Sequence, residues 1–151
     1  MNQLVGLLKS KNMTIASIES LTAGLFAAKV ASVSGASTVL KGGMITYQTS
    51  AKQDVLHIDE QILKTYGVVS KECAEAMAIC GEKIFKTDII VSCTGNAGPD
   101  VMEEKPVGLV FMGIRIYGKI YTYQNVFRGS RNEIREQVCT YLENKLIEHL
   151  S

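Results

Sequence analysis

The sequence predicts an α/β fold: a mixed, mostly parallel sheet with helices on both faces and one antiparallel hairpin. Three observations predict it. Thr14-Ile15-Ala16-Ser17-Ile18 alternates as a strand does, and after a short turn the pattern Leu25-Phe26-Ala27-Ala28-Lys29-Val30 is helical, which makes a β-turn-α unit. Asp88 to Cys93 is a nearly continuous apolar run, as expected of a strand covered by helices above and below. Val107 to Tyr117 and Ile120 to Phe127 flank Gly118-Lys119, a two-residue turn with glycine first, which reads as an antiparallel hairpin.

The remaining elements follow in order. Asn2 to Lys11 carries Leu4, Leu7 and Leu8 at helical spacing. The helix after the first strand is predicted to run to about Val33, burying Leu25, Phe26, Val30 and Val33, and Ser34 to Ser37 is a loop by composition. Gly42-Gly43 is read as preceding a strand Met44 to Tyr47, which leads into a second strand-to-helix junction at Gln48 to Lys52, with Thr49 or Ser50 as cap. Asp59 to Tyr66 is a short helix stopped by Gly67. Ser70 caps the next, which runs to about Phe85 with Ala74, Met77, Ala78, Gly81, Ile84 and Phe85 inward. Ser130 and Glu133 have the spacing of a capping box, and the closing helix turns Ile134, Val138, Tyr141, Leu142 and Leu146 to one side. At 151 residues a single domain spanning 1–151 is expected.

Charge and cysteine usage exclude several classes. With 16 Lys and Arg against 15 Asp and Glu the net charge is +1, so no broad field advertises nucleic acid or an anionic membrane. The uncharged stretch between Asp88 and Asp100 is too short and too rich in Gly and Thr to span a bilayer, and residues Met1 to Lys11 do not read as a leader. Cys73, Cys80, Cys93 and Cys139 show no C-x-x-C pair, so no metal site is predicted. Cys73 and Cys80 read as core residues of one helix, and a cytoplasmic location is expected.

The candidate chemistry lies at the two strand-to-helix turns. Ser20 and Thr22 sit where a helix begins, and a helix end offers unpaired N–H groups and partial positive charge to an oxyanion or phosphate. Ala23 and Gly24 let a ligand come close. Ser20 is therefore either a nucleophile or, like Thr22, a simple cap. Only His57 and His149 could serve an Asp-His-Ser arrangement, and His149 is placed to favour the dipole of the last helix, so a lysine is the better-supplied base. Lys52, expected in the first turn of its helix, would have its pKa lowered by the positive end of the dipole, as a general base requires; the alternative is a solvated lysine. Tyr47 stands beside it at the strand end. Thr94-Gly95-Asn96-Ala97-Gly98-Pro99 is a second glycine-bearing loop at a strand end, where positive φ and close backbone approach are possible. Both loops should emerge on one edge of the sheet, where open α/β sheets bind ligands. Arg128 and Arg131 bracket the start of the closing helix, joining guanidinium to helix end as a phosphate site needs, or lying there as ordinary surface residues.

Six motifs occur in a fixed order: Glu19-Ser20-Leu21-Thr22-Ala23-Gly24; Gly42-Gly43 through Tyr47 to Ala51-Lys52; Gly67-Val68-Val69-Ser70; Thr94 to Pro99; Glu104-Lys105-Pro106-Val107-Gly108; and Phe127-Arg128-Gly129-Ser130-Arg131. In these the chain resembles, over almost its whole length, the CinA C-terminal domain family of nicotinamide-nucleotide amidases, as a stand-alone member. The resemblance implies a three-layer α/β/α sandwich, self-association as a homodimer or larger homo-oligomer, and a place in NAD salvage. It implies hydrolysis of nicotinamide mononucleotide to nicotinic acid mononucleotide and ammonia, with no cofactor, no nucleic-acid partner and no membrane partner. It implies that Ser20 is the nucleophile and Lys52 the base, with Tyr47 and Thr22 in the catalytic group. Arg131 and the Thr94, Gly95 and Gly98 loop, with Gly24, are the expected contacts to substrate. The chain departs from the family pattern at Leu21, Ala23, Thr49 and Ser50. It departs again at Asp100-Val101-Met102-Glu103, which replaces a glycine-rich run with residues that lack its freedom of φ. That loop motivates a rival reading, a nucleotide-binding regulatory protein with weakened turnover; an amidase acting on another carboxamide is the third.

Overall fold

In the computed structural model, which describes residues 1–151, the chain runs α1 (Asn2–Ser10), β1 (Ile15–Glu19), α2 (Leu25–Ala31), a 3-10 turn (Ala36–Thr38), β2 (Leu40–Ile45), α3 (Thr49–Asp54), α4 (Glu60–Tyr66) and α5 (Lys71–Phe85). It continues with β3 (Ile89–Gly95), β4 (Leu109–Ile116), β5 (Lys119–Val126) and α6 (Arg131–Leu150). The strands form one sheet in the order β2-β1-β3-β4-β5. β1 is parallel to β2 and β3, while β4 is antiparallel to both β3 and β5, so only β4 opposes the common direction.

Every residue of β1 is buried, and β3 is buried up to Thr94, because helices cover both faces of the central strands. On one face α1, α2 and α6 lay Leu4, Leu8, Phe26, Ile134, Val138 and Leu146 over Ile15, Ile89 and Val91. On the other, α4 and α5 bring Leu63, Cys73, Met77 and Ala78 against Ala16, Ile18 and Ile90. The three-layer α/β/α arrangement follows. No helix is long and apolar enough to cross a membrane.

Register levels the strand ends that matter. Glu19, the last residue of β1, pairs with Ile45 at the end of β2 and with Cys93 near the end of β3. Ser20, Thr46-Tyr47 and Thr94-Gly95 therefore leave the sheet side by side at its carboxyl edge.

Several local expectations are corrected. Gly42 and Gly43 lie inside β2, not before it: a Cβ at Gly43 would come within 2.8 Å of Ser17 Oγ, so glycine here permits close packing and breaks nothing. β2 consequently ends at Ile45, two residues earlier than predicted. The hairpin turn is Tyr117-Gly118, with φ of 46° and 82°, positive at both central residues as the right-handed strand twist favours. α2 stops at Ala31, and Ile84 of α5 faces solvent. His149 stands in the last turn of α6 as expected, but it is engaged by two tyrosines. Its Nε2 lies 2.6 Å from the Tyr123 hydroxyl and its ring 4.1 Å from that of Tyr121, and burial pushes its pKa down. The capping box of α6 and the Ser70 and Gly67 boundaries stand as predicted.

Gly95 joins the fold to the site, since a Cβ there would meet the Leu109 carbonyl oxygen at 2.4 Å and Val110 Cα at 2.7 Å. Backbone cannot rotate aside as a side chain can. Gly95→Ala is expected to lower stability by roughly 1–3 kcal/mol in urea unfolding, and an unchanged midpoint would show that β3 and β4 separate freely.

Candidate active site

β1 does not hand directly into a helix. Ser20 still donates its N–H to Cys93 O at 3.1 Å, and the chain then turns through Ala23 and Gly24, with φ of 47° and 92°, before α2 begins at Leu25. Two successive left-handed residues are costly for any residue but glycine, so something must hold the turn. The carboxylate of Glu19, 1% exposed, does so. It accepts from Gly24 N (3.0 Å), Phe26 N (3.1 Å), Ala27 N (3.0 Å), Ser17 Oγ (2.7 Å) and Thr22 Oγ1 (2.6 Å). A carboxylate is the only side chain that accepts from five donors while offering none.

Two expectations fall with this. Neither Ser20 nor Thr22 caps α2: its N-cap is Gly24, with no side-chain bond of its own. The N–H groups at the head of α2 are not open to an oxyanion, because Glu19 already takes them. The unpaired donors lie elsewhere. Thr22 O accepts from Leu25 N and Ser20 O from Ala23 N, whereas the N–H of Leu21, directly after Ser20, donates to nothing within the protein. The same is true of Ala97 N–H across the cavity. Arg135 of α6 fixes the turn from outside, its Nε on Leu21 O at 3.0 Å and its Nη2 on Thr22 O at 2.9 Å.

Lys52 occupies the last turn of the short α3, not its first turn, so the expected dipole effect has the wrong sign there. Its side chain instead runs back beneath the turn and is 1% exposed. Nζ lies 3.0 Å from Ser20 Oγ, 2.7 Å from Thr46 O and 3.3 Å from Tyr47 O, and no carboxylate forms an ion pair with it. Burial pushes the pKa of this amine below its usual 10.5, the neighbouring Cys73 and Cys93 thiols opposing weakly. Carbonyl oxygens only accept. As an ammonium Nζ donates to all three oxygens while the Ser20 hydroxyl turns to Tyr47 O at 3.5 Å; as a neutral amine it has two N–H groups for the carbonyls and a lone pair free to accept from that hydroxyl.

Ser20 and Leu21 line a cavity of about 140 Å³ with Tyr47, Gly95, Asn96, Ala97, Asp100, Met102 and Arg131. Arg131 closes one side, with Nη1 on Gly98 O at 2.7 Å and Nη2 on the Tyr47 hydroxyl. Through Ala97 and Arg131 this cavity adjoins an open groove of about 410 Å³ that includes Gly98, Val107 and Ser130 at the head of α6. Asn96 holds the outer loop, its Nδ2 on Met102 O (3.2 Å) and Lys105 O (3.1 Å) and its Oδ1 accepting from Met102 N (3.0 Å). Glu103, in the run expected to lack glycine's freedom of φ, and Glu104 after it adopt left-handed φ of 57° and 54°. The Glu103 carboxylate offsets that strain by accepting from Val68 N at 2.8 Å and Val69 N at 2.9 Å.

Of the residues nominated from sequence, Ser20, Tyr47, Gly95 and Arg131 reach the cavity, Lys52 backs Ser20, and Gly98 lines the groove. Thr22 turns its hydroxyl into the core against Glu19 and Cys93 Sγ, Thr94 binds Val68 O at 2.7 Å, and Gly24 serves the turn, so these three lie behind the site. Sequence reading missed Glu19, Asn96 and Arg135. The signal for Glu19 was present: a lone acid ending an otherwise apolar, fully buried strand must have donors waiting for it.

The sequence matches the CinA C-terminal domain family over residues 1–150. It is 45% identical over 138 residues to a competence-damage inducible protein of Bacillus mycoides, covering 91% of this chain and 34% of that one, and likewise to one of Bacillus cereus. The chain thus spans about a third of the length of these curated relatives. Among solved structures, a CinA superfamily protein of Klebsiella pneumoniae superposes with a TM-score of 0.96 at 25% identity, over 99% of this chain and 94% of that one. A competence/damage inducible protein from Agrobacterium tumefaciens does so at 0.89 with 28% identity, over 98% and 96%.

Two measurements check the electrostatics. Glu19→Gln places an amide N–H₂ among donors and is expected to cost about 1–3 kcal/mol of unfolding free energy. For Lys52 the folded chain binds fewer protons than the unfolded chain between the depressed pKa and 10.5, so wild-type stability rises with pH across that window. Lys52→Met removes the slope. Its stability relative to wild type is greatest at neutral pH and shrinks toward pH 10.5, by about 1.4 kcal/mol per unit of depression; parallel stability curves would mean an ordinary amine.

Proposed function

The chain belongs to the CinA C-terminal domain family, and from that premise we propose that it is an amidase that converts nicotinamide mononucleotide to nicotinic acid mononucleotide and ammonia. One observation carries the reading: a buried amine without a counter-ion, 3.0 Å from a serine hydroxyl at the floor of a cavity. Neutral Lys52 takes the Ser20 proton as Oγ attacks the carboxamide carbon. The carbonyl oxygen becomes an oxyanion, and the Leu21 and Ala97 N–H groups, which have no partner within the protein, are assigned to meet it. Collapse of the tetrahedral intermediate expels the amide nitrogen, which collects the proton from the Lys52 ammonium and leaves as ammonia. Water, giving its proton to Lys52, then attacks the acyl-serine, and the acid product departs as Ser20 is reprotonated.

Cavity size supports a divided ligand. About 140 Å³ suits an aromatic carboxamide but not a whole mononucleotide, and the adjoining groove with Arg131 and the head of the 20-residue α6 suits ribose and phosphate. In this reading Tyr47 orients Arg131 through their shared hydrogen bond. The intrusion of Asp100 and Met102 into the cavity favours a second reading, a nucleotide-binding protein without turnover.

Ammonia release from nicotinamide mononucleotide separates the two. Ser20→Ala is expected to lose roughly 10³- to 10⁶-fold in kcat while still binding substrate, and full turnover in that variant would remove Ser20 from the mechanism. Wild-type kcat/KM should climb with pH through the depressed Lys52 pKa, because only the free amine accepts a proton. Lys52→Arg should lose both that limb and about 10²- to 10⁴-fold of the rate. Tight binding without turnover in wild type would favour the second reading.

A further inference from the structure

We propose that Asp100 is a specificity-determining residue, its carboxylate selecting a carboxamide borne on a positively charged aromatic ring over a neutral ring of the same shape. The inference rests on the amidase reading and narrows its substrate class.

Asp100 is the sole carboxylate lining the Ser20 cavity, and it shares that small space with the guanidinium of Arg131. The two do not pair. Arg131 directs one N–H to Gly98 O and one to the Tyr47 hydroxyl, leaving others free, and Asp100 makes neither a side-chain hydrogen bond nor a salt bridge. Its loop neighbour Glu103 is committed by contrast, to Val68 N, Val69 N and Lys105 Nζ. Nor is Asp100 adrift. Asn96 grips Met102 at both its N–H and its carbonyl, and Glu103 ties the following turn to the start of α5, so the backbone carrying Asp100 is held on the cavity wall.

Asp100 is solvent-exposed, and a ligand that enters beside it takes water from its carboxylate; a cation at that point of the ligand compensates the loss. An uncharged ring does not. A ligand with a quaternary pyridinium ring and a phosphate matches the pair as placed, cation toward Asp100 and anion toward Arg131. The same carboxylate opposes the anion made when the carboxamide becomes a carboxylic acid, which favours departure of the product. Leu21 and Met102 supply apolar wall, so charge is read at one point of the ring's rim.

The test compares nicotinamide mononucleotide with its neutral isostere, the 3-carbamoylphenyl ribonucleotide, on the full chain and on Asp100→Asn. The ratio of kcat/KM for cationic over neutral ligand is expected to exceed one in wild type and to fall by about 1.5-fold to fivefold in Asp100→Asn, the span of an exposed ion pair. Asp100→Glu should keep most of the ratio. A ratio unchanged by Asp100→Asn, or equal losses on both ligands, would overturn the proposal. Calorimetric titration of both ligands into Ser20→Ala, with and without Asp100→Asn, separates this inference from the one beneath it. Preferential binding of the cation that needs Asp100, with no turnover by wild type, would uphold Asp100 and end the amidase reading. Binding of neither ligand would end both.

Discussion

A primary amine buried without a counter-ion is the constraint on which the site depends. Every contact of Lys52 Nζ is to a neutral oxygen, so no carboxylate offsets the desolvation that shifts this amine toward its free base. That setting draws on the whole sheet edge. The parallel register of β1 and β2 sets Ser20 beside Thr46 and Tyr47, and the short α3 returns Lys52 to the two carbonyls it has just passed. The helix matters only as a reversal of direction, and six residues suffice for it.

The second constraint is the turn that carries the serine. A strand that must present a hydroxyl at its tip and then enter a helix runs through left-handed backbone, here without glycine at the first such position, Ala23. Glu19 holds that strain locally. By taking three amides at the head of α2 it also removes the obvious anion site, so the developing negative charge is met by backbone freed elsewhere. Arg135 completes this division of labour. It binds the carbonyls on the outer side of the turn while the Leu21 N–H stays unspent beside the nucleophile.

Much of this was legible in the sequence, and the illegible part has a common cause. Strand and helix periods are local, so the β-turn-α unit, the buried β3 and the capped α5 and α6 could be read directly, and the ordered motifs named Ser20, Tyr47, Lys52 and Arg131. What failed needed knowledge of a neighbour. Gly42 and Gly43 look like breakers until the packing of Phe85 against the first, and of Ser17 and α2 against the second, is known. The motifs put Thr22 in the catalytic group and Thr94 among the substrate contacts, but their hydroxyls bind Glu19 and Val68 O inside the protein. The lowered pKa of Lys52 was anticipated with the wrong cause, since helix position is visible in a sequence and depth of burial is not.

The loop from Asn96 to Lys105 shows how a departure from a family pattern is absorbed. Two glutamates stand in left-handed backbone where glycines would rest without strain, and Glu103 offsets this by bonding two amides of the α4–α5 junction. The exchange couples regions that flexible glycines would leave independent. Val68, whose N–H Glu103 binds, also accepts the Thr94 hydroxyl through its carbonyl, so loop, junction and the end of β3 are fastened in series. Met102 and Asp100 line the cavity, and Asn96 holds Met102 at both its N–H and its carbonyl. A charge carried on a held loop can discriminate between ligands of equal shape, so the role proposed for Asp100 bears on selectivity more than on bare catalytic capacity.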